Sequence, residues 1–354
     1  MENTRRRFLL ASAGLAVSAT ARAAPVLRRF GLAYTSFVIR MLRGRDVLRG
    51  GTASGLPAQT LVELCESFGA SGCQMDLAQL GAAEPALLAS VRDAVEKRGL
   101  FLELSVPAKS LEDEQAFARA AAVSRALGVK LWRVALLSGR RYEDFKTMEE
   151  WRAFAARWES ALPRAAAWLE RAGIQAGIEN HKDFLAGELA ALLRRVDSRN
   201  LGACVDFGNN LALLDEPMAL VEALAPWVVT THLKDMAVRP YERGFELSEV
   251  PLGQGILPLA RMVDVLRHAR PDVNFSLEMI TRDPLKVPYL DDAYWVTYAR
   301  RDPARIEAFR ASVLARASAT PLPRISGLTP DQMLAAEDAN VRACVAYAKG
   351  TLGL

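Results

Sequence analysis

The sequence predicts an α/β fold of the (β/α)8 TIM-barrel type with an extended C-terminal helical appendage, and three observations carry that reading. From residue 29 the chain alternates short apolar runs with amphipathic segments about eight times, which implies parallel strands joined by right-handed crossovers. The first apolar run is followed by Tyr34-Thr35-Ser36-Phe37, not by the glycine-rich turn that an open nucleotide-binding sheet carries there. The last four runs each stop at a carboxylate or an imidazole, the arrangement expected where barrel strands end at a catalytic face.

The eight strands are expected at Phe30–Ser36, Gly72–Leu77, Leu100–Val106, Lys130–Leu137, Ile174–Asn180, Leu201–Phe207, Trp227–Leu233 and Val273–Met279. Helical periodicity fills 57–69, 83–98, 112–127, 148–172, 186–196, 216–225 and 257–269, with a last group from 303 onward. In 161–170, for instance, Leu162, Ala165, Ala166 and Leu169 recur at helical spacing. Two connections, Met236–Gly255 and Thr281–Asp302, are longer than a barrel needs and would lie on the catalytic face. The second carries Arg282, Tyr289, Tyr294 and Trp295, a mixture that either holds a polar ring compound or packs the loop down. Gly253-Gln254-Gly255 follows a loop and reads as a turn.

Before the barrel, Thr4-Arg5-Arg6-Arg7-Phe8-Leu9-Leu10 forms a twin-arginine pattern, followed by an apolar run to Ala19 and a small-x-small site at Ala21-Arg22-Ala23. Residues 1–23 are therefore expected to be an export signal, 24–318 the barrel, and 319–354 a helical extension packed on the barrel or on a partner subunit of a homo-oligomer. The protein is expected to be exported to the periplasm. Removing the signal takes four arginines and one glutamate from 45 basic and 41 acidic residues, which leaves a net charge of about +1. No Lys/Arg-rich run remains to track a phosphate backbone, so nucleic acid is not an expected partner. Nor does any later run reach membrane-spanning length. The four cysteines show no zinc-like spacing and read as buried thiols, although a Cys65–Cys73 disulfide is open to an exported protein.

Chemistry is concentrated in Ile178-Glu179-Asn180-His181, Val205-Asp206-Phe207-Gly208-Asn209, Thr231-His232-Leu233-Lys234-Asp235 and Ser276-Leu277-Glu278-Met279. If these strands are neighbours, Glu179, Asp206, His232 and Glu278 converge on one divalent cation. Carboxylates with one imidazole suit Mn²⁺, Mg²⁺, Co²⁺ or Zn²⁺. Such an ion can chelate a carbonyl and its neighbouring hydroxyl, acidify the C–H between them and stabilise the enediolate formed on deprotonation. Glu179 and Glu278 could flank the substrate and exchange that proton. His181 could donate to a substrate oxygen or orient a neighbour. Lys234, on the same face as His232, could bind a hydroxyl or carboxylate, or pair with an acid such as Asp206. His268, the third histidine, falls in a helix.

On these segments, together with Leu252-Gly253-Gln254-Gly255, most of residues 29–316 resembles the xylose isomerase-like, metal-dependent TIM barrels, which include sugar isomerases, ketose 3-epimerases and endonuclease IV. The resemblance implies Mn²⁺ or a similar ion held by Glu179, Asp206, His232 and Glu278, with the two glutamates also exchanging the proton. Ketose 3-epimerases place a histidine three positions after the aspartate, where this chain has Asn209, and an arginine after the ligand histidine, where the nearest is Arg239. Three histidines cannot furnish the trinuclear centre of endonuclease IV. The expected activity is isomerisation or epimerisation of a sugar, keto-sugar or polyol derivative. The alternatives are a lyase or dehydratase acting through the same enediolate, and a non-catalytic sugar-binding barrel.

Overall fold

The computed structural model describes residues 29–47 and 55–354; the export signal expected at 1–23 lies outside the described residues. Eight parallel strands close a barrel: β1 (Phe30–Ala33), β2 (Gly72–Asp76), β3 (Phe101–Ser105), β4 (Leu131–Ala135), β5 (Gln175–Glu179), β6 (Leu201–Asp206), β7 (Val228–Leu233) and β10 (Phe275–Leu277). Their order around the barrel is β1-β10-β7-β6-β5-β4-β3-β2, so the four strands that lead into the acid-and-imidazole segments are consecutive neighbours. Register places Asp206 beside His232 and Ser276 beside His232, which sets the ends of β6, β7 and β10 level.

The outer helices are α1 (Val38–Val47), α2 (Ala58–Ser67), α3 (Pro85–Lys97), α4 (Glu114–Leu127), a single turn α5 (Arg141–Asp144), α6 (Met148–Ala172), α7 (Ala186–Val196), α8 (Pro217–Leu224), α9 (Leu259–Ala269), α10 (Pro303–Ser312) and α11 (Pro330–Gly350). Local signals explain most of them. Thr147 and Glu150 form a reciprocal capping box at the start of α6, and Gly173 ends that helix in the left-handed conformation at φ 66°. Between them Trp158, Leu162, Ala165 and Leu169 turn one apolar stripe onto the barrel.

Helix α1 was not expected from the sequence, which continued the first strand to Ser36. The strand instead stops at Ala33 and a tight turn over Tyr34–Phe37 leads into the helix. The support comes from the other end of the chain. Glu337 of α11, fully buried, accepts from the Ile39 N–H at 2.6 Å and pairs with Arg40 at 2.8 Å, while Asp338 pairs with Arg40 at 2.7 Å. A helix start satisfied by a carboxylate some 300 residues away leaves no local trace. The same contacts seat α11 on its own barrel.

The long connection after β7, to which the sequence reading assigned no element, is itself structured. It holds an antiparallel hairpin, β8 (Asp235–Tyr241) and β9 (Gly244–Val250), extended by β11 (Leu285–Val287) from the other long connection. Phe245 packs on Tyr289 and Phe309 beneath this small sheet. Two strands alone are marginal, so the hairpin depends on that packing. Next to it, Gly253 (φ +84°) turns the chain, and the Asp235 carboxylate accepts from the N–H groups of Gly253, Gly255 and Leu257 at 2.9, 2.9 and 3.1 Å. Asp235 is thus the post of the turn and not part of the polar ring.

Arg141 clamps the loop that follows β10. Its buried guanidinium lies 3.8 Å over the Trp151 ring and 4.7 Å from that of Tyr298, and donates to Thr297 O at 2.7 Å and to Glu188 at 2.7 Å. Arg141→Met is expected to lower stability by about 2–4 kcal/mol, because several buried acceptors lose their donor together. It should also open residues 281–302 to limited proteolysis. Wild-type cleavage kinetics with an unchanged unfolding midpoint would refute the clamp.

Candidate metal centre

The barrel interior is polar below its mouth. Glu103 on β3, fully buried, accepts from Gln74 Nε2 (3.0 Å), Asn274 Nδ2 (2.6 Å) and Thr230 Oγ1 (2.9 Å). Burial pushes its carboxyl up while those donors hold it down, and the balance is a raised pKa. The branched aliphatics that commonly fill such barrels are here replaced by a hydrogen-bonded layer. Gln74 passes that order upward: with its amide nitrogen given to Glu103, its Oε1 meets His232 Nε2 at 2.6 Å. His232 Nδ1 is thereby aimed at the carboxylates above.

Those carboxylates are the expected ones. His232 Nδ1 stands 3.4 Å from Glu179, 3.7 Å from Asp206 and 3.5 Å from Glu278, and one donor atom from each of the four residues lies within 4.8 Å of every other. Each acid has its own support. Glu179 pairs with Arg133 Nε through one oxygen and accepts from Asn209 Nδ2 at 2.8 Å through the other. Asp206 Oδ1 accepts from the N–H groups of Gly208 (2.9 Å) and Asn209 (2.7 Å). Glu278 pairs with Lys234 and accepts from Thr35 Oγ1 at 3.0 Å. Burial works against ionisation at Glu179, yet Arg133 and His232 outweigh it and hold the carboxyl well below the usual range. Lys234 and His232 do the same for Glu278.

Of the seven buried side-chain atoms without a hydrogen bond among the described residues, two lie in this ring: His232 Nδ1 and Asp206 Oδ2. Lys234 Nζ comes within 2.8 Å of Asp206 Oδ2 but off the line that a hydrogen bond needs. Orphaned buried atoms are costly, and here both face one point ringed by three acids. The donor set fits a divalent ion of intermediate hardness, with Glu179, Asp206, His232 and Glu278 as ligands. Cys204, buried beneath, can also join Glu179 and His232, but burial pushes its thiol up and away from the thiolate a metal needs.

The chemistry of His232 adds a pH dependence. Burial alone would favour the neutral ring, but Glu278, Cys204 and Glu179 push its pKa well above the ordinary value. A proton therefore occupies the ring at neutral pH unless an ion replaces it. Metal uptake should release that proton, so affinity rises with pH up to the raised pKa and levels off beyond it. Gln74→Leu removes the partner that fixes the ring and is expected to weaken metal binding about 10–100-fold. Chelator-competition titrations at several pH values check both statements; a pH-independent affinity would contradict the first, and wild-type affinity in the variant the second.

His181 does not join the ring. It lines a second space, its Nδ1 bonded to Leu137 O at 2.8 Å, and burial together with the Lys182 charge lowers its pKa to about 3. It is a neutral imidazole with one nitrogen left for a ligand. Lys234 does lie in the ring, bridging Asp206 and Glu278. The loop aromatics divide otherwise than a ring-binding role would need. Tyr289, Tyr294 and Trp295 are buried, with Tyr294 OH on Ala212 O and Trp295 Nε1 on Tyr289 O at 2.8 Å, so they pack the loop down. Arg282 faces the cleft and pairs with Glu249 at 2.5 Å. Arg239 stands on β8 opposite Glu246. His268 is exposed, and all four cysteines are buried thiols.

Among the described residues, two clefts open at the barrel mouth. One, of about 340 Å³, is lined by Tyr34, Asp76, Ser105 and Arg133 among others. The other, of about 260 Å³, is lined by Arg140, His181, Lys182, Glu278 and Arg282 among others. Sequence reading did not single out Gln74, Glu103, Arg133 or Lys182. The first three are polar residues inside otherwise apolar strand runs, which is the signal that could have marked them.

A closed parallel barrel that brings three carboxylates and an imidazole together at the ends of four adjacent strands defines a TIM barrel with a candidate divalent-metal centre. The chain belongs to the xylose isomerase-like TIM barrel family, whose pattern it matches over residues 62–300. It is 30% identical over 205 residues to 3-oxo-isoapionate decarboxylase of Pectobacterium atrosepticum, which covers 57% of this chain and 70% of that one. Among solved structures, D-psicose 3-epimerase in the presence of D-fructose superposes with a TM-score of 0.60 at 15% identity, over 92% of this chain and 100% of the other. A xylose isomerase-like TIM barrel protein from Mycobacterium smegmatis in complex with magnesium gives 0.55 at 14%, over 81% and 98%. No described helix is long and apolar enough to cross a membrane.

Proposed function

We propose that this protein is a metal-dependent isomerase or epimerase that moves a proton on a carbon beside a carbonyl in a sugar, keto-sugar or polyol derivative. The observation that carries the reading is the placement of Glu179 and Glu278. They project from β5 and the end of β10, separated by β6 and β7, onto the point that Asp206 and His232 also face. Both are held ionised, Glu179 by Arg133 and Glu278 by Lys234, so each is in the form that accepts a proton. One takes the proton from one face of the substrate carbon; the other, after taking up a proton from solvent, delivers it to the opposite face, and the proton left on the first returns to solvent. Arg133, Asn209 and Thr35 hold the carboxylates in place for that exchange. When bound, the ion, which we take to be Mn²⁺ with Mg²⁺, Co²⁺ or Zn²⁺ as substitutes, supplies Lewis-acid stabilisation for charge developing on substrate oxygens.

A lyase is the second reading, and the similarity to a decarboxylase favours it. Loss of carbon dioxide or water from an oxidised sugar places the same negative charge on the same oxygens. Incubation of metal-loaded protein with sugars and 3-keto-sugars in D₂O separates the readings. An isomerase incorporates deuterium into products of otherwise unchanged composition, a lyase releases carbon dioxide or water, and a binding barrel does neither. Absence of both exchange and release across the panel would overturn catalysis. We also propose export by the twin-arginine route on the strength of Arg5-Arg6-Arg7 and its following apolar run; the mature N-terminus of periplasmic material tests it.

A further inference from the structure

We propose that the substrate carries a carboxylate and that Lys182 is the residue that receives it, a conclusion that rests on the metal-dependent reading and names the substrate class for that site. The 260 Å³ cleft beside Glu278 is lined by three cationic side chains, Arg140, Lys182 and Arg282. Two of them already have acids: Arg140 pairs with Glu143, and Arg282 pairs with Glu249. Lys182 has none. Only 6% of it is exposed, yet among the described residues no carboxylate lies within ion-pair distance, and its one hydrogen bond goes to a neutral amide, Asn209 Oδ1, at 2.5 Å. The remaining acid on the cleft wall, Glu278, is already engaged by Lys234.

An ammonium group buried without a counter-ion is held at a cost, and the backbone adds to it. Lys182 sits at φ +64°, in the left-handed region that a long side chain rarely adopts. The turn that imposes this is fixed on both sides: Asp183 Oδ1 accepts from the His181 N–H at 3.2 Å, and Lys182 O accepts from the Arg141 N–H at 2.9 Å. Burial, with the nearby Lys234 and Arg282 charges, lowers the pKa of Lys182 to about 8. An arriving anion reverses that penalty and gains a charge-assisted hydrogen bond. The link through Asn209, which also donates to Glu179 at 2.8 Å, sets the anchor at a fixed place relative to one of the proton-exchanging acids. Asn209 thus ties a cation to the centre.

The test compares D-xylonate with xylitol, which differ only in a terminal carboxylate against a hydroxymethyl group. Calorimetry on the full-length mature protein, with and without Mn²⁺, should show the acid bound about 10- to 100-fold more tightly than the polyol, the range of a charge-assisted hydrogen bond. Lys182→Met should abolish that preference while leaving xylitol affinity as it was, and Lys182→Arg should keep most of it. Unchanged xylitol affinity also reports that the variant is folded. Equal affinity for both probes in the wild type would overturn the proposal. A preference undiminished in Lys182→Met would overturn it too, because the ion itself would then be holding the acid. Elemental analysis on the same samples keeps the two readings apart. Protein that binds no metal defeats the metal-dependent reading, while the metal-free titration still decides the role of Lys182.

Discussion

Glu278→Gln and Glu179→Gln are each expected to lower solvent-deuterium exchange into substrate by roughly 10²–10⁴-fold, the range for loss of a positioned acid–base group. Each should also reduce metal occupancy in elemental analysis, since each removes one of four donors. The two effects separate by metal titration. Asp206→Asn, a change at a residue given only a ligand's role, should regain most of its exchange at saturating Mn²⁺. The glutamine variants should not, because a carboxamide cannot accept the proton even beside a fully occupied centre. Full recovery of Glu278→Gln at high Mn²⁺ would remove Glu278 from proton transfer and leave it a ligand.

Lys234→Met is expected to lower the unfolding free energy of metal-free protein by about 3–5 kcal/mol, the cost of removing one partner from a buried ion pair. The ammonium stands 2.8 Å from Asp206 and pairs with Glu278, and both acids are buried. Methionine fills similar space, so the loss reports charge and not volume. Addition of Mn²⁺ should restore much of the difference, since an ion that binds only the folded state stabilises it in proportion to the logarithm of its excess over Kd. Urea unfolding with chelator and with Mn²⁺ gives the four values needed. Equal midpoints for wild type and variant in chelator would show that Lys234 does not neutralise the ring.

Much of this architecture was legible before any coordinates, and the reasons are local. All eight barrel strands fall within the expected apolar runs, although β1 and β10 are shorter than theirs, because strands buried on both faces must be largely apolar. Glu179, Asp206, His232 and Glu278 stood out as polar residues ending those runs, and the barrel brings them together. What was missed depended on distant partners. Helix α1 rests on Glu337, the β8–β9 hairpin on β11 and the aromatics beneath it, and Gln74 and Glu103 on contacts across the barrel interior. Tyr294 and Trp295 were open between holding a ligand and packing the loop, because an aromatic in a long loop reads the same either way; their burial decides for packing.

The number of barrel strands, their parallel alternation and the four residue types that converge could all be read along the chain, since each depends on hydrophobic period and on side-chain chemistry. The tertiary structure alone decided which charges are balanced. It set Arg133 against Glu179 and Lys234 between Asp206 and Glu278, and it left Lys182 buried with no acid paired to it among the described residues. The physical reason is that the balance of buried charge depends on distances of a few ångströms between residues far apart in the chain. No pattern along one strand or helix encodes those distances.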